Sequence, residues 1–181
     1  MRPTTYNLQP TTSRGYTLIE LIIAVGLFAL VMLLASGAYI MMIGLSRQAQ
    51  GIATGINNLS FALETMTRDI RTGTNYNCGG LGDCSSGASV FSFKNESGVT
   101  VSYSLSGSTL QKTVDTSQTT LTDPTVTISS LTFYAFGTQA APGDYQQPRV
   151  TIIVTGTVTY SAGKTQPFTV ETGATMRGTD L

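Results

Sequence analysis

The sequence contains no histidine, only two cysteines, and few charges: Asp, Glu, Lys and Arg make up 11% of it, ten basic against ten acidic. Without histidine there is no imidazole general base, no Ser-His or Cys-His nucleophile pair and no histidine metal site. Two cysteines are too few for a disulfide scaffold or a thiolate zinc site. The even charge balance gives no electrostatic case for a nucleic-acid partner, so no such contact is expected. No cofactor or metal site is expected either, and the chain reads as a non-enzyme. Proline is missing between Pro10 and Pro124, so nothing interrupts a helix early in the chain. A length of 181 residues suits one compact domain with an appendage.

What is present is strongly polarised along the chain. Residues 1–14 (MRPTTYNLQPTTSR) form a polar leader with Arg2 and Arg14. From Leu21 to Leu45 there is no charged residue, and about 20 apolar residues suffice to cross the hydrocarbon as a helix. The arginines before this run place the N-terminus in the cytoplasm and export the rest. Beyond it, Ile52, Ile56, Leu59, Leu63, Met66 and Ile70 recur at helical spacing, with Arg47, Asn57, Glu64, Arg68 and Arg71 on other faces. The pattern predicts one helix from Tyr16 to Thr72, ended by Gly73. Its first half, 16–45, is lipid-facing, and its second half, 46–72, is amphipathic. Gly26, Gly37, Gly44, Gly51 and Gly55 fall within roughly 40° of one another on this helix. Gly44 and the Gly51/Gly55 pair would let another helix approach closely, and the glycines would also soften the helix; the two effects can coexist.

After Gly73 the pattern changes from helical to period two. Residues 73–87 read as a glycine-rich loop. Val99, Val101, Tyr103 and Leu105 alternate with polar residues, Ser106-Gly107 signals a turn, and a second run leads through Leu110 to Val114: a hairpin. PRVTIIVTGTVTY and PFTVETGATMR alternate as well. In TVTISSLTFYAF the phase shifts between Ile128 and Leu131, which predicts a bulge or a bend near Ser129-Ser130. The fold class is α+β: a long N-terminal helix whose Ile52–Ile70 stripe covers the apolar face of an antiparallel β-sheet head, 73–181.

The run Arg14-Gly15-Tyr16-Thr17-Leu18-Ile19-Glu20, followed by a long apolar helix, resembles the type IV prepilin signal. That family comprises type IV pilins, pseudopilins of type II secretion systems and competence pilins. The resemblance implies a type IV pilin-like fold. It also implies removal of the leader, 1–15, by a prepilin peptidase that cuts between Gly15 and Tyr16, then N-methylation of Tyr16, where phenylalanine is usual. A carboxylate in hydrocarbon costs several kcal/mol unless paired or neutralised. The family implies that Glu20 pairs with the α-amine of Tyr16 on a neighbouring subunit and sets axial register. The alternative for Glu20 is snorkelling from one turn below the membrane edge. A secretory signal peptide is the rival for the whole segment, cleaved after Ser36-Gly37-Ala38 to leave Tyr39 first.

FALETMTRDIRTG, VTVSYSLSGSTLQKTV and FTVETGATMRG resemble W-type minor pilins and J-type minor pseudopilins. This implies a structural filament subunit in a pilus, competence or type II secretion-like system. Its partners would be other pilin or pseudopilin subunits, the prepilin peptidase, membrane lipid before assembly and an inner-membrane assembly platform. The subunit would start as a single-pass inner-membrane protein and end in a pilus or periplasmic filament. In an exported head, Cys78 and Cys84 can close a disulfide across a glycine-rich loop, with two free thiols as the alternative. Asp83, Asp115, Asp123 and Asp144 read as solvated loop acids, since no Asp-x-Asp cluster suggests calcium. Asn58-Leu59-Ser60 and Asn95-Glu96-Ser97 match the glycosylation sequon. The competing function is a membrane-anchored or secreted β-domain that binds a ligand or surface as an adhesin.

Overall fold

A computed structural model describes residues 15–80, 82–139 and 146–177. The expected leader, 1–14 with its two arginines, and Asp144 lie outside these residues. The elements in chain order are α1 (Leu18–Thr72), β1 (Thr74–Asn77), β2 (Val90–Lys94), β3 (Thr100–Ser106), β4 (Thr109–Val114), β5 (Ser117–Thr120), β6 (Val126–Phe136), β7 (Arg149–Ser161) and β8 (Lys164–Thr175). The chain divides into two compact units, Met1–Leu45 and Ser46–Leu181. A long apolar helix followed by antiparallel sheets is an α+β arrangement of the pilin-like kind.

The first unit holds the start of α1. Among the described residues nothing buries its apolar side chains: the most apolar 18-residue window has a mean hydropathy of 2.8 and is 0% buried. Leu27, Phe28, Leu34, Ile40 and Met41 are all exposed. In water such a surface would be strongly unfavourable, and by length and composition this stretch can cross a membrane.

In the second unit the stripe on α1 does what its spacing predicts. Leu59, Leu63, Met66 and Ile70 are buried, while Ile52 and Ile56 are half-buried. Leu59, Leu63, Met66 and Ile70, with Ile56 packed against them, join a core made by Phe91, Phe93, Tyr103, Phe133, Ile152 and Val154. Aromatic rings lead through that core, with Phe91 and Phe133 stacked 5.4 Å apart and Phe93 6.1 Å from Tyr103. The helix stops at Gly73, whose N–H donates back to the Ile70 carbonyl at 3.1 Å. Two further donors satisfy carbonyls of the last turn: the Tyr76 hydroxyl reaches Ile70 O at 2.5 Å, and the Arg177 N–H reaches Arg71 O at 2.9 Å.

The strands are antiparallel throughout, but they form two sheets where the sequence suggested one. β1 to β5 make a five-stranded sheet in chain order, and β6 to β8 a three-stranded one. The two are joined at a bridge, where Ala88 and Phe133 exchange N–H···O bonds of 2.9 and 2.8 Å, and by the Ile128 N–H, which donates to Ser108 O at 2.8 Å. The 99–114 hairpin is present as β3 and β4, in register from Val101↔Val114 to Ser106↔Thr109. The bulge in β6 is present too: Ile128 pairs with Gly156 and Ser130 with Thr155, so Ser129 is the extra residue. The loop expected at 73–87 instead begins with β1. That strand is polar except for buried Tyr76, so it carries no alternation to read. β5 is likewise invisible by pattern, being Ser-Gln-Thr-Thr with all four residues exposed.

The glycines of α1 divide by position. A Cβ on Gly51 would stand 2.8 Å from the Cβ of Tyr160, and one on Gly55 only 2.3 Å from Val158 Cγ1. Carbon atoms in contact sit about 3.5–4.0 Å apart, so β7 occupies the space a side chain would need. The close approach expected of a second helix at these two glycines is made instead by a strand of the same chain. A Cβ on Gly26, Gly37 or Gly44 meets nothing within 4 Å among the described residues.

Candidate processing and assembly site

Gly15, Tyr16 and Thr17 precede the helix in non-helical conformation. Tyr16 is 84% exposed. No described atom lies within 4 Å of the place a Gly15 side chain would take. The helix begins where it does because Thr17 caps it. Its Oγ1 accepts from the Glu20 N–H at 3.3 Å, and its carbonyl accepts from the Leu21 N–H at 3.1 Å. Thr-x-x-Glu is the spacing of a capping box, a signal the sequence reading passed over. Glu20 thereby sits in the first turn of α1, where a carboxylate also complements the positive end of the helix dipole.

Tyr16, Glu20, Leu21, Ala24, Val25 and Phe28 border one shallow concavity along the helix. Glu20 is its single titratable carboxylate, set in an otherwise apolar stripe that ends in one phenol. A lone carboxylate of this kind can pair with a cation, but it has no partner base for acid–base chemistry. Among the described residues no group of three or more His, Cys, Asp or Glu is placed to hold a metal.

The remaining candidate residues lie in the second unit. Cys78 and Cys84 are joined by a disulfide. Their loop is held to β6 from Cys84 onward: the Cys84 N–H donates to Ala135 O at 2.8 Å, and Asp83 Oδ1 accepts from the N–H and hydroxyl of Thr138 at 3.0 and 3.2 Å. Asp123 Oδ1 accepts from the Thr125 N–H at 2.9 Å. That backbone bond, with a second from the Thr125 hydroxyl, holds the Asp123 carboxyl below the usual carboxylate range. Of the sequon asparagines, Asn58 accepts from the Asp123 N–H, and Asn95 accepts from Ser97 and Val99 within its own turn.

One polar cluster was not singled out from sequence. Asp69, a quarter exposed, forms an ion pair with Lys112 and accepts from the Tyr103 hydroxyl at 2.5 Å. It fastens the end of α1 to β3 and β4. Burial first, and then the bond to the Asp69 carboxylate, push the Tyr103 hydroxyl far above its ordinary pKa. The signal available was Asp69 within Arg68-Asp69-Ile70-Arg71, an acid beside a core position of the stripe. Its partners, some forty residues on, carry no pattern that links them to it.

Residues 11–36 match the family described as the prokaryotic N-terminal methylation motif. No curated protein matches the chain, and no solved structure does. The match covers Gly15, Tyr16, Glu20 and the first part of α1. Together with the apolar stretch of α1, it fits a membrane-anchored protein that is processed by prepilin peptidase and assembles with other pilins. The N-terminal segment carries a type IV pilin-like prepilin signal, the mark of a pilin- or pseudopilin-like structural protein and not of an enzyme family.

Proposed function

We propose that the chain is a minor pilin or minor pseudopilin, a structural subunit of a type IV pilus, competence pilus or type II secretion-like filament. The observation that carries this reading is the overlap of the methylation motif, residues 11–36, with a helical stretch that has none of its apolar window buried. A surface of that kind needs lipid before assembly and the helices of sister subunits after it. The leader stays in the cytoplasm, the head is exported, and the inner-membrane assembly platform moves the subunit from bilayer to filament. The resemblance of the head segments to W-type and J-type minor subunits supports the minor role.

In this reading prepilin peptidase cuts between Gly15 and Tyr16 and methylates the new amine of Tyr16. That amine lies four residues before Glu20 in the chain. An unpaired carboxylate in hydrocarbon costs several kcal/mol. Contact between the Tyr16 amine of one subunit and Glu20 of the next removes that cost and fixes their relative height. The disulfide between Cys78 and Cys84 staples the loop that follows α1.

N-terminal sequencing of the mature protein tests the cut: a chain beginning at Tyr16 supports it, and one beginning at Tyr39 replaces it with secretory cleavage. For register, Glu20→Ala is expected to insert and be cleaved normally yet be absent from sheared filaments. Normal incorporation of that variant would sink the pairing. Co-purification with other pilin-like subunits separates a filament subunit from a solitary anchored adhesin.

A further inference from the structure

The three-stranded sheet ends at β8, whose outer side pairs with no strand among the described residues. The backbone shows which β8 residues face that way. The Met176 N–H donates to Pro148 O at 3.0 Å, so Met176 turns its polar groups toward β7. Backbone groups in an antiparallel pair alternate in direction, and the β7–β8 register runs unbroken from Arg149↔Thr175 to Thr159↔Thr165. Thr165, Pro167, Thr169, Glu171, Gly173 and Thr175 therefore turn theirs outward. Arg177, next in the series, agrees: its N–H leaves the sheet and donates to Arg71 O at 2.9 Å. An open edge invites pairing, and proteins blunt edges with proline or cover them. Here both devices act only at the ends. Pro167 has no N–H to offer, and the last turn of α1 takes that of Arg177. Between them Thr169, Glu171, Gly173 and Thr175 are exposed. Gly173 has no side chain, so its exposure is that of the backbone itself.

Where this open edge ends, a polar groove of about 400 Å³ begins, lined by Glu64, Thr67, Arg68, Arg71, Thr72 and Arg177. Arg68 is paired with Glu64 at 3.1 Å. Arg71 and Arg177 have no carboxylate partner among the described residues, although Glu96 borders the adjoining groove with them. Arg68, Arg71 and Arg177 against Glu64 and Glu96 leave this end of β8 with an excess of cation. We propose that β8 from Thr169 to Thr175 receives an extended segment of a different protein chain, whose backbone adds as a further strand and whose carboxylate is held by Arg71 and Arg177. Main-chain bonds to a sheet edge supply affinity, and side-chain pockets supply selectivity. Guanidinium groups suit carboxylates because their N–H donors match both oxygens. A second copy of β8 fits less well. Its one acid, Glu171, comes level with Arg177 only where the Arg177 N–H is already given to Arg71, and the two strands then share little more than Gly173 and Thr175. The site lies wholly in the second unit and needs no filament, so its failure leaves the pilin reading untouched.

The test titrates the full-length chain, in detergent micelles, into a fluorescein-labelled peptide, Glu-Thr-Val-Thr-Val-Thr-Glu. The peptide is acidic at both ends, so either strand direction presents a carboxylate to the groove. Fluorescence anisotropy is expected to show saturable binding. Methylating every backbone nitrogen of the peptide removes its donors and is expected to abolish saturation. Replacing both glutamates of the peptide by glutamine lowers affinity about tenfold, as does Arg71→Gln or Arg177→Gln in the protein. Both arginines are exposed, so neither substitution puts the fold at stake. Unchanged binding of the methylated peptide reduces the site to an anion pocket and overturns the added strand. No saturable binding, or affinity indifferent to both arginines, overturns the proposal as a whole. A concentration-dependent dimer in sedimentation that the peptide dissolves gives the edge to a second copy. Binding gained only on Asp180→Asn gives the groove to an acid of the same chain. Each of these last two outcomes also overturns the partner.

Discussion

Gly55→Ala sets two effects of opposite sign against each other. Alanine in place of glycine inside a helix gains about 1 kcal/mol of propensity. The new methyl would meet Val158 Cγ1 at 2.3 Å, Cγ2 at 2.9 Å and Cβ at 3.2 Å. Ordinary contact lies at about 3.5 Å or more, so strand or helix must retreat by about 1 Å. Val158 cannot swing away: it is 1% exposed and pairs with Val126 on one side and Gln166 on the other. Overpacking of this kind costs about 1–3 kcal/mol, and the size of the clash favours the upper end. The net expectation is a loss of about 2 kcal/mol. Val158→Ala alone removes two buried methyls and loses about 2 kcal/mol. In the double variant the alanine methyl at 55 fills part of that hole, so the pair should cost about 2 kcal/mol less than the sum. Urea unfolding of the detergent-solubilised chain, followed by near-UV circular dichroism of its tyrosines, measures all four corners. Gly44→Ala, which meets open space, serves as the control and should not destabilise. A Gly55→Ala variant at least as stable as the parent, or a cycle that closes additively, would refute the claim that β7 fills the place of that side chain.

Three further outcomes follow from the second unit. Tyr103 is held neutral, so its contribution is fully present below the unfolded tyrosine pKa of 10.0 and is lost as pH rises beyond it; ultraviolet titration should show exposed tyrosines ionising first and Tyr103 only as the fold is lost. Asp69→Asn strips Lys112 of its carboxylate and weakens the Tyr103 bond, and should cost about 2 kcal/mol, against less for Lys112→Met, which leaves the Tyr103–Asp69 bond in place; equal losses in denaturant midpoints would count against this. Cys78 and Cys84 should resist alkylation until a reductant is added, and their joint replacement by serine should cost about 2 kcal/mol, as befits a short closed loop; labelling of the unreduced native chain would contradict the pairing.

The parts of this fold that were readable from sequence are those written in apolar periodicity. The stripe from Leu59 to Ile70, the stop at Gly73, the hairpin around Gly107 and the phase slip at Ser129 each leave a local trace. β1 and β5 leave none, because a strand made of Thr, Asn, Ser and Gln is held by its neighbours' backbones and not by its own burial. The division into two sheets depends on which edge β6 chooses, and that is decided by residues distant in sequence. The same applies to Asp69, whose partners lie on β3 and β4, and to Gly51 and Gly55. Those glycines could be seen to line up, but the strand that fills the line is a hundred residues away. At the N-terminus the candidate residues are local in sequence, with Gly15, Tyr16 and Glu20 within six residues, and the capping role of Thr17 was missed.

Each strand bonds to the next one along the chain, in both sheets. No pairing has to wait for a distant segment, so the loop-closure entropy of forming either meander is small and both should zip rapidly. The exception is α1, whose buried stripe must find Ile152 and Val154 about ninety residues later. The rate of folding is then set by the docking of a helix that cannot cover its own apolar stripe, and substitutions at Leu59 or Met66 should slow folding more than those in β5.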